Sequence, residues 1–154
     1  YLTASNRLTA SAYDVSPILD GASMTGMVLG VCRQNPKALL ESSAGSVLRS
    51  LSVAKVSRNS PSVQLRSGDT VVVVRAETID KIHVSLAARK LLSPKKPGAP
   101  FDAATQSAIR AFQKMQSLPQ TGLPDAPTVI RMLVETQAGP SSPSSPDQQT
   151  RPRR

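Results

Sequence analysis

The stretch from Phe101 to Leu133 constrains the fold of this chain most strongly, because it contains two helix-start signals separated by a turn. Asp102 and Asp125 each stand where an N-cap residue belongs, ahead of apolar residues at helical spacing. Pro119 restricts the residue before it, so the first helix is predicted to end by Leu118. The apolar positions are Ala108, Ile109, Phe112 and Met115, then Val129, Ile130 and Leu133. The sequence therefore predicts two short helices connected by a turn.

The spacing of this stretch also resembles a known bacterial family. The matching positions are Asp102, Thr105, Ala108, Ile109, Phe112 and Gln113, followed by Leu118, Thr121, Gly122, Asp125, Thr128 and Leu133. Their pattern is similar to the three-helix peptidoglycan-binding domain appended to cell-wall hydrolases, and the resemblance covers about residues 80–137. The sequence departs from the family pattern in one loop and at one further residue. The loop ahead of the second helix reads SPKKPGAP instead of a Gly- and Asp-rich sequence, and Ser117 replaces a common Gly.

The part of the chain before this module predicts a small α+β domain over residues 14–78, preceded by a loose polar leader over residues 1–13. A helix is expected within residues 17–31. A second helix is expected to begin at Asn35-Pro36, where Asn can cap and Pro suits the first turn. Its apolar stripe comprises Leu40, Ala44, Val47, Leu48 and Leu51.

After that helix the apolar period changes from 3.6 to 2, which indicates strands. Val53 and Val56 frame a possible strand, and two further strands are predicted at residues 62–66 and 70–75. The sequence Ser67-Gly68-Asp69 between the last two predicts a hairpin turn. The N-terminal unit is therefore expected to combine a helical part with a small antiparallel sheet.

The helical period returns after residue 78, where Asp80 is expected to cap the first helix of the module. The expected apolar face of that helix comprises Val84, Ala87, Ala88 and Leu91. The module is predicted to span residues 79–138. Residues 139–154 are rich in Pro and Ser and are predicted to be disordered. The fold class is thus α+β, with a three-helix module after the small domain.

The net charge of +9 is concentrated in the second half, where residues 81–138 carry 8 basic against 3 acidic side chains. Such a surface suits an anionic polymer: nucleic acid, a lipid headgroup layer, or the teichoic acids and peptide carboxylates of a cell wall. Nucleic acid is disfavoured because the chain has no Trp and only two Phe and two Tyr to stack on bases. The apolar runs are too short for a transmembrane helix.

Catalytic and metal-binding patterns are not recognisable in the sequence. Cys32 is the only cysteine, which excludes an internal disulfide, and His83 is the only histidine, without neighbouring metal ligands. The acidic residues are scattered, and no Gly-x-Ser-x-Gly motif occurs. We therefore expect neither an enzyme nor a cofactor or metal site.

The resemblance implies non-catalytic binding of peptidoglycan, which anchors or targets the protein in the cell envelope. The location would be periplasmic or extracellular, with an export signal removed, and other envelope proteins would be further partners. In such a module the turn and the edge of the second helix would bound a shallow groove. The ligand-binding residues would be Thr105, Arg110, Gln113, Lys114, Thr121, Gly122 and Asp125. Two alternatives stay open: a targeting fragment of a larger hydrolase, and a protein–protein adaptor that has lost the ligand.

Overall fold

The computed structural model describes residues 4, 6, 7 and 9–135 of the chain. In this part, helices accompany one two-stranded antiparallel sheet, so the fold is of the α+β class. The predicted tail, residues 139–154, lies outside the described residues. In chain order the elements are α1 (Gly21–Gln34), α2 (Leu40–Leu51), β1 (Ser62–Ser67), β2 (Thr70–Arg75), α3 (Ala76–Ala88), α4 (Ala103–Met115) and α5 (Ala126–Val129), which continues as a wide helical turn over Ile130–Val134.

The first two helices occur where helices were predicted, but their ends differ. Helix α1 begins after Asp20, whose carboxylate accepts hydrogen bonds from the backbone of residues 22 and 23. The predicted N-cap role of Asn35 is wrong, because this residue ends α1 by donating its N–H to the carbonyl of Val31. Helix α2 begins only at Leu40, which is 65% exposed and does not join the buried stripe. That stripe consists of Val47, Leu48 and Leu51.

The predicted hairpin is confirmed. Strands β1 and β2 pair antiparallel, with Ser67 opposite Thr70, so that a two-residue turn joins them. Gly68 in this turn has φ +57°, a conformation that favours glycine. The strand expected around Val53 and Val56 is wrong: Ser52–Ala54 form a tight helical turn, and Val56 makes an isolated backbone bridge to Asp14.

Helix α3 follows β2 without an intervening residue and begins four residues before Asp80. The predicted cap is therefore wrong, and the Asp80 side chain instead accepts a hydrogen bond from the backbone N–H of Gly98. The predicted buried face is wrong as well, since Val84 is 68% exposed. The buried positions are Glu77, Thr78, Ile79, Ile82, His83 and Leu86, and the polar members of this set conceal the face from a hydrophobicity pattern.

Both predicted caps of the C-terminal helices are confirmed. The Asp102 carboxylate accepts a hydrogen bond of 2.8 Å from the N–H of Thr105, and that of Asp125 accepts one of 3.1 Å from the N–H of Thr128. Helix α4 ends at Met115, ahead of the Pro119 signal. Ser117 follows it with φ +54° and reverses the chain direction.

The main hydrophobic cluster contains residues from both halves of the chain. Ile18, Val47 and Leu51 pack in the same cluster as residues of the C-terminal helices, such as Leu86 and Phe112. A smaller cluster holds the hairpin against the turn after α4, and consists of Leu65, Val74, Ile79 and Leu123. The predicted boundary between residues 78 and 79 thus falls inside α3. In the described part, no helix is long and apolar enough to cross a bilayer.

Candidate functional site

The turn between α4 and α5 is organised around the side chain of Gln113. Gln113 is fully buried, and its Oε1 accepts a hydrogen bond of 2.9 Å from the backbone N–H of Gly122. Its Nε2 lies 2.9 Å from Thr121 Oγ1, 3.0 Å from the carbonyl oxygen of Leu123 and 2.9 Å from Thr128 Oγ1. Because both polar atoms of the amide have partners, Gln113 fixes the turn against α4.

The carboxylate of Asp125 completes this network from the other side of the turn. Its Oδ2 accepts a hydrogen bond of 3.0 Å from Thr121 Oγ1, and its Oδ1 accepts one of 2.6 Å from Thr128 Oγ1. The two threonine hydroxyls therefore donate to Asp125 while they accept from the amide of Gln113. Such a closed donor–acceptor chain leaves little unused capacity for an external ligand.

At Gly122 the backbone of the turn lies close to side chains of α4. It has φ +70°, and a Cβ built there would lie 2.7 Å from Gln106 Cγ and 2.9 Å from Arg110 Nε. These two side chains of α4 therefore lie directly over the backbone of the turn. The shallow groove predicted beside the turn is occupied at this point by the protein's own side chains.

At the start of α4 a second polar network surrounds Thr105. Its buried Oγ1 lies 3.1 Å from His83 Nε2, 2.8 Å from Asp102 Oδ1 and 3.1 Å from Lys95 Nζ. Lys95 also makes a salt bridge of 2.6 Å with Asp102, and the hydrogen bond from Lys95 holds the pKa of Asp102 well below its usual range.

His83 is buried in this network, as Thr105 is. Burial lowers the pKa of His83, and the positive charge of Lys95 lowers it further, against smaller opposing effects of Asp80 and Asp102. His83 Nδ1 has no hydrogen-bond partner among the described residues. Burial and the charge of Lys95 therefore both favour the neutral form of the imidazole.

The seven predicted ligand-binding residues fall into three groups in the structure. The first group lies together in the α4–α5 turn and comprises Gln113, Thr121, Gly122 and Asp125. The side chain of Gln113 is enclosed and bonded within the fold. Thr105 is buried at the opposite end of α4. Only Arg110 and Lys114 are exposed, one helical turn apart on α4.

A cleft of about 600 Å³ lies between α3 and the segment before the hairpin. It borders the loop between α3 and α4 at Pro97, and its apolar lining comprises Val53, Ala54, Val84, Ala88, Met132 and Leu133. Val53 and Val84 are among the most exposed large apolar side chains of the described residues, at 49% and 68%. A volume of this size is typical of small-ligand sites.

Glu77 fixes the charged side of this cleft. Its carboxylate accepts hydrogen bonds of 2.9 Å and 3.1 Å from the backbone N–H groups of Ser57 and Arg58, and it makes a 3.0 Å salt bridge with Lys81. Burial by itself raises the pKa of Glu77, but these hydrogen bonds and Lys81 outweigh it, so the pKa is lowered. Glu77 thus stays ionised and holds the backbone at residue 58 in place.

The Arg58 side chain extends from that fixed backbone into the cleft lining and is 71% exposed. Its guanidinium lies 4.0 Å from both Glu77 and Asp80, at the limit of an ion pair. No local pattern in the sequence indicates this cleft, because residues 53–58 and α3 are separated in the chain and meet only in the fold. The number of basic residues in the sequence does not indicate which of their side chains stays exposed after folding.

The described residues offer no cluster of side chains suited to bind a metal ion. Within residues 4, 6, 7 and 9–135, no group of three or more His, Cys, Asp or Glu side chains is arranged to hold a metal ion.

Comparison with known proteins identifies the C-terminal helices. Residues 82–132 match a family described as "Putative peptidoglycan binding domain", which confirms the resemblance seen in the sequence. The match includes α4, the turn and most of α3. No curated protein and no solved structure gave a match. The segment spanning residues 82–132 is therefore assigned to the peptidoglycan-binding domain family, and this assignment covers only part of the chain.

Proposed function

We propose that this chain binds bacterial peptidoglycan without catalysing its breakdown, and thereby anchors or targets the protein in the cell envelope. The observation that supports this proposal is the family match over residues 82–132. A periplasmic or extracellular location follows from the ligand, because peptidoglycan lies outside the cytoplasm. The basic excess of the chain favours contact with a polymer that carries free carboxylates.

Arg110 and Lys114 are the predicted site residues that we assign to direct ligand contact. Both are exposed on α4, and their spacing of four residues places them on one side of the helix. Neither forms a salt bridge within the described residues. Their charges can therefore pair with stem-peptide carboxylates, with arginine offering a bidentate geometry.

The remaining five predicted residues receive a positioning role in this proposal. Gln113, Thr121, Gly122 and Asp125 hold the turn against α4, and Thr105 bonds the start of α4 to α3 through His83. This arrangement fixes the orientation of α4, which carries both cations: Arg110 crosses the turn at Gly122 but remains exposed, and Lys114 is exposed one turn further along.

A pelleting assay with purified, insoluble peptidoglycan sacculi tests the proposal. The wild-type chain should sediment with the sacculi, and a specific component should survive about 0.5 M salt, where charge screening acts within a few ångströms. The double variant Arg110→Gln/Lys114→Gln should bind about tenfold more weakly. The control Lys37→Gln/Arg66→Gln removes the same charge from exposed positions outside the family match and should retain binding.

The outcomes of this assay also separate the alternatives. Failure of the wild-type chain to sediment would overturn peptidoglycan binding and favour the adaptor. The exposed pair Leu39 and Leu40 at the start of α2, 72% and 65% accessible, is the surface that favours a protein partner in that case. Release of soluble fragments from labelled sacculi would instead support the alternative that the chain is a fragment of a larger hydrolase.

A further inference from the structure

We propose that the cleft between α3 and residues 53–58 binds the peptide stem of peptidoglycan, with Arg58 pairing with a stem carboxylate and Val53 and Val84 contacting alanine methyl groups. This inference rests on the proposed function and extends it. Arg58 and Val53 lie outside the family match, so the site would be built jointly by the N-terminal unit and the peptidoglycan-binding domain.

One side of the cleft is apolar and accessible to a ligand. Val53 and Val84 line one cleft from separate elements, and both side chains remain exposed. Covering such side chains stabilises a complex by about 25 cal/mol per Å² of apolar area. A ligand with small methyl groups would gain this contribution without having to fill a deep pocket.

Three cationic side chains line the cleft: Arg58, Lys81 and Arg89. Lys81 already bonds Glu77 and the backbone carbonyl of Lys55. Arg89 donates to the Ser85 carbonyl at 2.9 Å, and its guanidinium lies over the ring of Phe112. These two cations are therefore used inside the fold.

Arg58 differs from both, because its side chain is mostly exposed and its ion pairs are long. A carboxylate that approached the guanidinium could form two parallel N–H···O bonds, which are shorter and stronger than the existing 4.0 Å contacts. Since Glu77 fixes the backbone of residues 57 and 58 through one hydrogen bond each, part of the ordering needed for binding is already present in the free protein.

The carboxylate of Asp80, next to Arg58, limits the kinds of ligand that fit the cleft. Asp80 uses Oδ1 to accept the N–H of Gly98 at 2.7 Å, while its Oδ2 faces Arg58 at 4.0 Å. A cleft with a cation, an anion and methyl-sized apolar surfaces complements a peptide that carries a carboxylate, an ammonium group and alanine side chains. Peptidoglycan stems combine these groups. The described lining contains no aromatic ring on which a sugar could stack.

Titration of the full chain with a soluble disaccharide–tetrapeptide fragment of peptidoglycan tests this site. Arg58→Gln should weaken binding about tenfold, and Val84→Ser about threefold. Both side chains are exposed, so these variants should fold, which thermal unfolding verifies. The matched controls Arg66→Gln and Val73→Ser alter exposed positions of the hairpin outside the cleft and should bind like wild type.

Two further ligands and one parallel assay decide the outcome. Amidation of the fragment's carboxylates should weaken the binding of wild type more than the binding of Arg58→Gln, which retains Arg110 and Lys114, while the peptide-free disaccharide should bind neither protein. The inference is overturned if Arg58→Gln binds like wild type, or if the disaccharide alone binds as well as the tetrapeptide fragment. If the inference fails but wild type and Arg58→Gln both sediment with intact sacculi, the proposed function stands. If wild type does not sediment, both the proposed function and this inference are overturned.

Discussion

The side-chain amide of Gln113 bonds the backbone of Gly122, 2.9 Å from Oε1 to N, and thereby joins helix α4 to the turn that follows it. The same amide reaches two threonine hydroxyls that donate to Asp125. One buried side chain thus couples the end of one helix to the cap of the next. The stability of the turn should depend on it.

Replacement of Gln113 by alanine should lower the free energy of unfolding by about 2–4 kcal/mol, because it leaves a buried cavity and an unpaired Gly122 N–H. Urea denaturation followed by circular dichroism measures this change. Gln116→Ala is the matched control, since Gln116 is exposed at the end of the same helix. Its effect should stay within about 0.5 kcal/mol. Equal effects of the two substitutions would contradict the assigned role of Gln113.

Substitution of Gly122 by alanine should be more destabilising than the same change at Gly68. Both glycines have positive φ, so each substitution should cost about 1 kcal/mol in backbone strain. At Gly122 the new Cβ would also collide with Gln106 and Arg110, whereas at Gly68 it would meet open space. We expect an additional loss of about 1 kcal/mol at Gly122. Thermal unfolding of the two variants measures the difference, and a larger effect at Gly68 would refute the packing argument.

Substitution of Ser117 by glycine should stabilise the protein. Ser117 adopts φ +54° directly after α4, a conformation that costs a side-chain-bearing residue more than it costs glycine. We expect a gain of about 0.5–1 kcal/mol, which a rise in melting temperature would report. Ser107→Gly is the opposite control, because residue 107 is exposed inside α4, where glycine should destabilise by about 0.5 kcal/mol. A loss of stability in Ser117→Gly would contradict this interpretation.

The stability of the protein should decrease as the pH falls below the ordinary His83 value near 6.5. Burial lowers the pKa of His83 in the folded state, so between the folded and unfolded pKa values the unfolded chain binds more protons. Stability is therefore fully retained above pH 6.5 and is lost as the pH decreases through this window. Urea midpoints at about pH 7.5 and about pH 5.5 would measure the slope.

His83→Gln is the control for this pH dependence, because His83 is the only histidine in the chain. The variant should be less stable overall, but its stability should change little over the same pH interval. The carboxylates of Asp102 and Glu77, whose pKa values are also lowered, contribute stability above their unfolded pKa values and lose it only in more acidic solution. An unchanged slope in the variant would exclude His83 as its origin.

The parts of the fold that were predictable depend on local chemistry. Asp102 and Asp125 cap their helices through residues only three positions away, and Gly68 marks a two-residue hairpin turn. These signals act within a few residues and are therefore readable in the sequence. Asn35 offered the same kind of signal but ends a helix, because the preceding helix extends to Gln34.

The parts that were not predictable depend on contacts between distant segments. The buried face of α3 includes His83 and Thr78, which a hydrophobicity pattern assigns to solvent. Gln113 looked available for a ligand because its partners, such as Thr128, are identified only by the folded chain. The cleft beside Arg58 joins residues about 20 to 80 positions apart, so its existence follows from tertiary packing alone.

The direct passage from Arg75 at the end of β2 to Ala76 at the start of α3 leaves no hinge between the hairpin and the helix that leads into residues 82–132. Tension applied to a wall-attached C-terminal segment would be transmitted along the backbone to β2, and the interstrand hydrogen bonds of the hairpin would resist it.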